Sequence, residues 1–515
     1  MPKIVTYEYD KTTAGISEYA NFTVVIPGFV KTGYGTYADG TSVFDENDVY
    51  ECNSRADFVK YIGKVPMSES LVKEAIAAVP EDDEITTEAQ FDAAKAESLA
   101  LGATTHLYAG VANAEQIEGY LKTVDYDFED GIITEETPYV EGTYYKLIAD
   151  ANKGSDAVYG SQMGNQVAYE LLGMGYTILY KKLELVSDLS KADYWECFKD
   201  KAMYDFRYVD ACLIDGNDAV NQCIIDLVHF DNKVAKAGGE TGRGDATALI
   251  NVDEEVYAKA ANQATAIKNI ASAVKGITGS KYAAIFAPTV TYDIADRLVQ
   301  EYGNNKTFPA TFHYLACAAK AAENYNEWYA NAGYTRGISD YSIAAVGYKF
   351  GEAAIDLLEP RNDKGGDNTN KAVNLIVKIK NSYFLWGNRT AYTLGAADSA
   401  DGDLKASHFL NIRQLCSTIK KQTYVACRRF TFDPNSDLLW VKFCNALRPT
   451  LEKMKGDQGI EDYKFVKVKS VKKATLTAKI RIVPIEAVED FDIGLYLEDS
   501  LGNINVVIDE EDSLE

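Results

Sequence analysis

The residues able to do chemistry in this 515-residue chain are few and scattered. Its four histidines, His106, His229, His313 and His408, stand far apart, and of its eight cysteines no two lie closer than eleven positions. A structural zinc site or a redox dithiol needs closely spaced ligands such as Cys-x-x-Cys, so these cysteines read as buried free thiols. Asp433-Pro-Asn-Ser-Asp437 begins like a calcium loop, but Leu438 stands where glycine is required and Cys444 where a glutamate should close the shell. Asn435 or Ser436 is read instead as a helix cap. The glycine-rich stretch Gly238–Asp245 lacks the Gly-Lys-Ser/Thr end of a phosphate cradle and reads as a tight turn into a strand at 246–252. Its Arg243-Gly244-Asp245 triplet matches a cell-adhesion motif, which has no role in a chain whose N-terminus lacks the features of a secretion signal. No Gly-x-Ser-x-Gly elbow occurs. The chain therefore offers no catalytic, cofactor-binding or metal-binding constellation, and no enzyme is predicted.

The elements that would position any site alternate between strand and helix. Apolar, β-prone runs at 21–30, 176–183, 204–213, 246–252 and 281–287 are interleaved with helical patterns at 54–63, 166–175, 217–236, 253–275 and 291–302. Ser54 is placed to cap the 54–63 helix and Gly63 to end it. Such alternation predicts an α/β layer with crossover connections. Further helices are expected at 349–358 and 405–421. Another follows Ser436, with Trp440, Cys444, Leu447, Leu451 and Met454 on one stripe, a kink at Pro449 and an end at Gly456. Two strands, about 463–469 and 474–483, come next. Residues 1–21 and the run 491–497 read as extended, and the last ten residues form an acidic tail.

Charge is distributed unevenly. The formal net charge is −25, with 77 acidic and 52 basic residues, which disfavours general nucleic-acid binding. Residues 405–482 nonetheless hold 17 Lys/Arg against 6 Asp/Glu, a net of +11. Residues 67–160 hold 20 acidic and 5 basic residues, a net of −15, and read as an inserted, solvated domain. No stretch approaches the ~20 apolar residues of a membrane-spanning helix.

The C-terminal half carries a series of short motifs. They are Thr307-Phe-Pro-Ala310; Ala316–Glu323; Trp328-Tyr-Ala-Asn-Ala-Gly333-Tyr-Thr-Arg-Gly337; Asn374 followed by Leu385-Trp-Gly-Asn-Arg-Thr390; Phe409-Leu-Asn-Ile-Arg413; Asp433-Pro-Asn435 with Trp440, Leu451 and Gly459; and Lys479-Ile-Arg-Ile-Val-Pro484. In order and spacing the chain resembles the contractile tail sheath proteins of bacteriophages. Asn331 stands where that family usually has proline, and one of two prolines is missing near Pro484. Looser similarity covers Val24–Gly33, Ser54–Gly63 and Gly175–Lys182, whereas 67–160 matches nothing in the family.

The resemblance implies an α/β (α+β) multidomain protein. Its divisions would be an N-terminal arm (1–22), a discontinuous outer α/β domain (23–66 and 161–306), the acidic exterior insertion (67–160), a tube-facing C-terminal domain of helices on a small sheet (307–484), and a C-terminal arm with its tail (485–515). It implies polymerisation into a helical stack of rings, hexameric in the family, around an inner tail tube protein. Baseplate and tail terminator proteins would be further partners, with no nucleic acid, no membrane insertion and no cofactor. Arms carrying Ile4, Val5, Tyr7, Phe491, Ile493, Leu495 and Leu497 would be exchanged between subunits. The basic segment would meet an acidic tube through Lys420, Lys421, Arg428, Arg429, Lys453 and Lys455. Location in the virion tail, after assembly in the host cytoplasm, follows from the same likeness. Two alternatives stay open at this point: the sheath of a bacterial contractile injection system, and a soluble α/β enzyme.

Overall fold

A computed structural model of the chain describes residues 22–31, 34–63, 85, 87–100, 105–109, 138–140, 145–149, 163–184, 186–214, 216–277, 280–295, 297, 307–354, 372–392, 405–468, 475–485 and 487. Its centre is an eight-stranded sheet built from β1 (Thr23–Gly28), β2 (Val49–Cys52), β5 (Thr177–Lys182), β6 (Tyr208–Asp210), β7 (Thr247–Asn251), β8 (Ala283–Ala287), β11 (Val373–Ile379) and β12 (Ser382–Trp386). The spatial order is β12-β11-β8-β7-β6-β1-β5-β2. The six inner strands run parallel, and β12 and β2 close the two edges antiparallel.

Parallel strands covered on both faces read as continuous apolar runs, which is the pattern of Val24-Val25-Ile26 and Ala283–Ala287. Successive residues feed opposite layers. Val25, Ile250 and Ile285 pack with α5 (Asp218–Val228) and α8 (Gln263–Ala273) through Ile224, Val228, Ile267 and Ile270. Val24, Ile26, Leu249 and Phe286 face the other side, against α1 (Arg55–Tyr61), α3 (Gly164–Gly173) and α9 (Ala310–Ala322) through Phe58, Leu171, Phe312 and Leu315. The mixed α/β layer expected from the alternation is present. Ser54 caps α1 by accepting from the Asp57 amide, and Gly63 adopts φ +90°.

Between β2 and α3, residues 67–160 contribute α2 (Glu88–Ala100) and the antiparallel pair β3 (Thr105–Ala109) and β4 (Tyr145–Ala149), which among the described residues pair as strands only with each other. Two smaller helices, α4 (Ala192–Glu196) and α6 (Asn232–Lys236), flank α5, and α7 (Glu254–Tyr257) precedes α8. The starts of two expected helices are corrected here. The stretch 291–302 opens as the end of a strand, β9 (Val290–Tyr292), paired with β10 (Ile343–Val346), and helical residues follow only at Ala295 and Arg297 among those described. At 349–358, Phe350 bridges to Val377 and one 3-10 turn covers Glu352–Ala354, so a continuous helix does not begin at Lys349.

After the short α10 (Gly333–Arg336) and strands β10 to β12, the C-terminal unit forms a helical hairpin of α11 (Leu410–Arg429) and α12 (Asp437–Gly456), packed on the two-stranded sheet of β13 (Ile460–Val468) and β14 (Thr477–Pro484). Ser436 caps α12 through the Leu439 amide, and the helix continues through Pro449 to Gly456. The expected domain boundary at 307 is corrected here. β11 and β12 lie beyond it and complete the main sheet, with Val373 in register with Ile285. The reason is physical: β8 pairs β7 along one edge, and β11 meets the backbone groups of its other edge, which would otherwise be left unpaired.

Candidate functional site: the junction between the sheet and the C-terminal hairpin

Several dispersed motif residues of the C-terminal half, Trp328, Asn374, Gly387–Arg389, Asn411 and Gly459, converge on one buried junction. Asn374, on β11, accepts from the Arg389 amide at 2.7 Å and donates through Nδ2 to the carbonyls of Arg389 (2.9 Å) and Ile285 (3.1 Å). A side chain at Gly387 would place its Cβ 2.8 Å from the Asn374 Oδ1, so glycine is what lets the chain pass. The next residue, Asn388, donates to Asn411 Oδ1 at 2.7 Å and accepts from the Asn411 amide at 3.1 Å. Asn411 in turn donates to the Trp328 carbonyl at 3.1 Å, and Trp328 Nε1 donates to the Asp457 carbonyl at 3.0 Å. Gly459 lies under the Trp328 ring, where a Cβ would come within 2.9 Å. The Arg389 guanidinium, fully buried, stands 4.6 Å from the centre of the Phe409 ring. This network fixes the start of α11 and the end of α12 against the sheet.

One turn further along α11 a second anchor appears, which sequence reasoning missed; its one signal was a cation inside the apolar run 204–213. Arg207 is 1% exposed. It donates to Gln414 Oε1 (2.6 Å), to the Gln414 carbonyl (3.0 Å), to Thr418 (3.1 Å) and to Glu327 (2.7 Å). Gln414 also donates to Thr247 on β7 at 3.2 Å. Beside this anchor lies a cavity of about 470 Å³ lined by Phe22, Tyr176, Tyr325, Trp328 and Lys453, among others.

The six cations expected to face a partner do not form one patch. Lys421 is 5% exposed, bonded to the Asp205 carboxylate and donating to the Phe206 carbonyl at 2.7 Å. Lys420 donates to the Gly244 carbonyl (2.7 Å) and the Tyr282 hydroxyl (3.0 Å), and burial, aided by Arg413, lowers its pKa to about 7. The assignment of these two lysines as partner-facing is therefore corrected: both heads turn inward and tie α11 to the sheet. Lys455 pairs with Asp462 at 3.0 Å. Arg428 and Arg429 are exposed at the end of α11, whereas Lys453 is exposed in the last turn of α12. The arm residues Ile4, Val5, Tyr7, Phe491, Ile493, Leu495 and Leu497 lie outside the described residues.

Arg243 and Asp245 of the adhesion-like triplet are buried and paired at 2.7 Å, and Arg243 also donates to the carbonyls of Phe198 and Tyr204. Burial is the largest single influence and would raise the Asp245 carboxyl, but the Arg243 charge and hydrogen bond, together with the Lys421 and Lys201 charges, outweigh it and hold the pKa below the usual value. The triplet is a structural clamp. Among the described residues no helix is long and apolar enough to cross a membrane.

No protein-family profile matches the chain, and no curated protein matches it. Among solved structures it is similar to the sheath complex of an extracellular contractile injection system in its contracted state, at 14% identity and TM-score 0.43, over 63% of this chain and 77% of that one. It is also similar to a chain of the anti-feeding prophage baseplate (13% identity, TM-score 0.42, 63% of this chain and 76% of that one). A third is the sheath tail protein of Desulfitobacterium hafniense (10% identity, TM-score 0.39, 90% and 96%). All three TM-scores lie below 0.5, so the functional reading rests on the chain's own residues.

Proposed function

We propose that this chain is the sheath subunit of a contractile bacteriophage tail, a structural and non-enzymatic protein. It would polymerise helically around an inner tube and contract to drive that tube through the host envelope. One observation carries the reading. Of the motifs that resemble the sheath family, those carrying Trp328, Asn374, Gly387–Arg389, Asn411 and Gly459 meet in a single hydrogen-bonded junction, while Asp433–Asn435 lies exposed at the far turn of the hairpin. Such a junction makes the sheet and the hairpin one rigid unit. A sheath needs this, because contraction exchanges one packing of rigid subunits for another. A head-to-tail contact whose rotation does not close generates the open helix, and exchanged terminal arms (1–22 and 485–515) would keep neighbours connected.

The tube, baseplate and terminator proteins, the hexameric ring and the virion location belong to this proposal. Of the basic residues, Lys453 at one end of the hairpin and Arg428 and Arg429 at the other are available to partners, either an acidic tube or acidic surfaces of neighbouring subunits. Electron microscopy of the concentrated protein across a range of salt tests the reading. Hollow striated tubes are expected, and a chain that stays monomeric in every condition overturns it. Removing residues 1–20 is expected to abolish the tubes and leave a cooperatively unfolding monomer. Replacing residues 67–160 by a short linker is expected to preserve them.

A further inference from the structure

The turn between α11 and α12 ends in an apolar point that the hairpin itself does not use. Phe432 is fully exposed and sits at φ +73°, a left-handed backbone that a bulky side chain adopts at a cost. Leu438 and Val441, three residues apart and so on one face of α12, are 64% and 49% exposed beside it. Arg428 and Arg429 flank this tip. The nearby ion pairs go elsewhere, Lys442 to Asp433 and Lys467 to Asp437, and leave both arginines without a carboxylate partner among the described residues.

Elsewhere on the surface, α4, α5, α6 and the turn before β7 enclose a groove of about 370 Å³. Val234, 40% exposed, supplies apolar surface, with the buried Trp195 and Leu227 beneath the lining. Four carboxylates line it, Glu196, Asp226, Asp231 and Glu240, against the single lysine Lys199. A cavity of about 150 Å³ already accommodates benzene, so the groove has room for a phenylalanine ring. The tip is an apolar point with cationic flanks, and the groove is an apolar floor with an anionic rim.

Resting on the sheath reading above, we propose that Phe432 of one copy inserts into this groove on a second copy, with Arg428 and Arg429 facing the carboxylates of its rim. Every copy carries both halves of the contact on different parts of its surface. A knob that fits a pocket elsewhere on an identical molecule makes a heterologous contact, which propagates unless its rotation closes. The contact uses no residue of the terminal arms, so it would fix how bodies seat on one another while the arms keep them tethered.

The full-length chain tests this by sedimentation and electron microscopy, with thermal unfolding alongside. Phe432→Asn keeps a residue tolerant of the left-handed turn and removes the ring. It is expected to raise the concentration needed for polymerisation at least tenfold with an unchanged unfolding midpoint. Arg428→Glu with Arg429→Glu is expected to block polymerisation, and Glu196→Arg with Glu240→Arg to restore it. In the wild-type polymer a bismaleimide is expected to join Cys427, exposed near the tip, to Cys223, which lines the groove, in different copies. Wild-type polymers that persist unchanged in Phe432→Asn overturn the contact and leave the sheath reading standing. The contact is likewise overturned if the glutamate reversals fail to rescue the arginine reversals. A wild-type chain that never polymerises overturns both.

Discussion

Asn388 and Asn411 hold each other in a two-bond clasp: the Asn388 amide donates to Asn411 Oδ1 at 2.7 Å, while Asn388 Oδ1 accepts from the Asn411 backbone at 3.1 Å. Asn388 follows the last edge strand of the sheet, and Asn411 opens the first helix of the C-terminal hairpin. The clasp caps a helix that lacks a capping side chain at Phe409. It also turns two pieces of structure into one body. A sheath subunit that transmits force would need that stiffness where its domains meet.

Asn388→Ala is expected to destabilise the chain by about 1–3 kcal/mol, the usual penalty for leaving buried polar partners unmet. Asn411→Ala should cost a similar amount. The double variant should cost less than the sum, because both changes delete one clasp. Urea unfolding of the three variants measures the coupling, and strict additivity would show that the two residues act independently.

Arg207 and Glu327 are 1% and 8% exposed at the side chain and paired at 2.7 Å. Arg207→Met leaves a buried carboxylate without its partner, for which about 3–5 kcal/mol of lost stability is expected. Arg207→Met with Glu327→Leu should recover most of it. Limited proteolysis of the single variant should cut first in α11, since Gln414 and Thr418 lose their donor with the arginine.

Burial raises the Asp210 carboxyl to about 6, against an ordinary value of 3.8. Between those pH values the folded chain keeps a proton that the unfolded chain has released. This residue's contribution to stability is therefore greatest below pH 4 and is lost as the pH rises through about 6. Asp210→Asn keeps an acceptor for the Cys212 amide, which now donates to Asp210 at 2.7 Å. The variant is expected to be more stable than wild type at pH 7 by on the order of 2 kcal/mol, and less distinguishable from it at pH 4. Urea midpoints at the two pH values decide it.

His313 has the opposite slope. Burial lowers its pKa to about 4, and its Nδ1 meets the Tyr292 hydroxyl at 2.7 Å. The unfolded chain takes up a proton near pH 6.5 that the folded one excludes, so stability is lost as the pH falls from about 6.5 towards 4. His313→Gln should lower stability at neutral pH and flatten this acid loss. A variant with the wild-type pH slope would place the acid sensitivity elsewhere.

Elements whose signals are local were legible in the residues alone. Continuous apolar runs specified strands covered on both faces, Ser54 and the pair Asn435-Ser436 marked helix starts, of which the fold uses Ser436 in the second, and Gly63 specified a left-handed end. The hairpin α11–α12 and the pair β13–β14 could be read for the same reason, since period and capping act within a few residues. Which charges stay in water was settled only by folding. A count of +11 over 405–482 cannot show that Lys421 finds Asp205, 216 positions away, or that Arg207 finds Gln414 at a separation of 207. Folding likewise determined that β11 and β12 complete a sheet begun at Thr23, because an open strand edge is filled by whichever later strand the chain can bring there. Helical period places a residue on a face, but only the packed neighbour decides whether that face is buried, so the inward lysines and the outward Phe432 emerge from the fold and not from the string of residues.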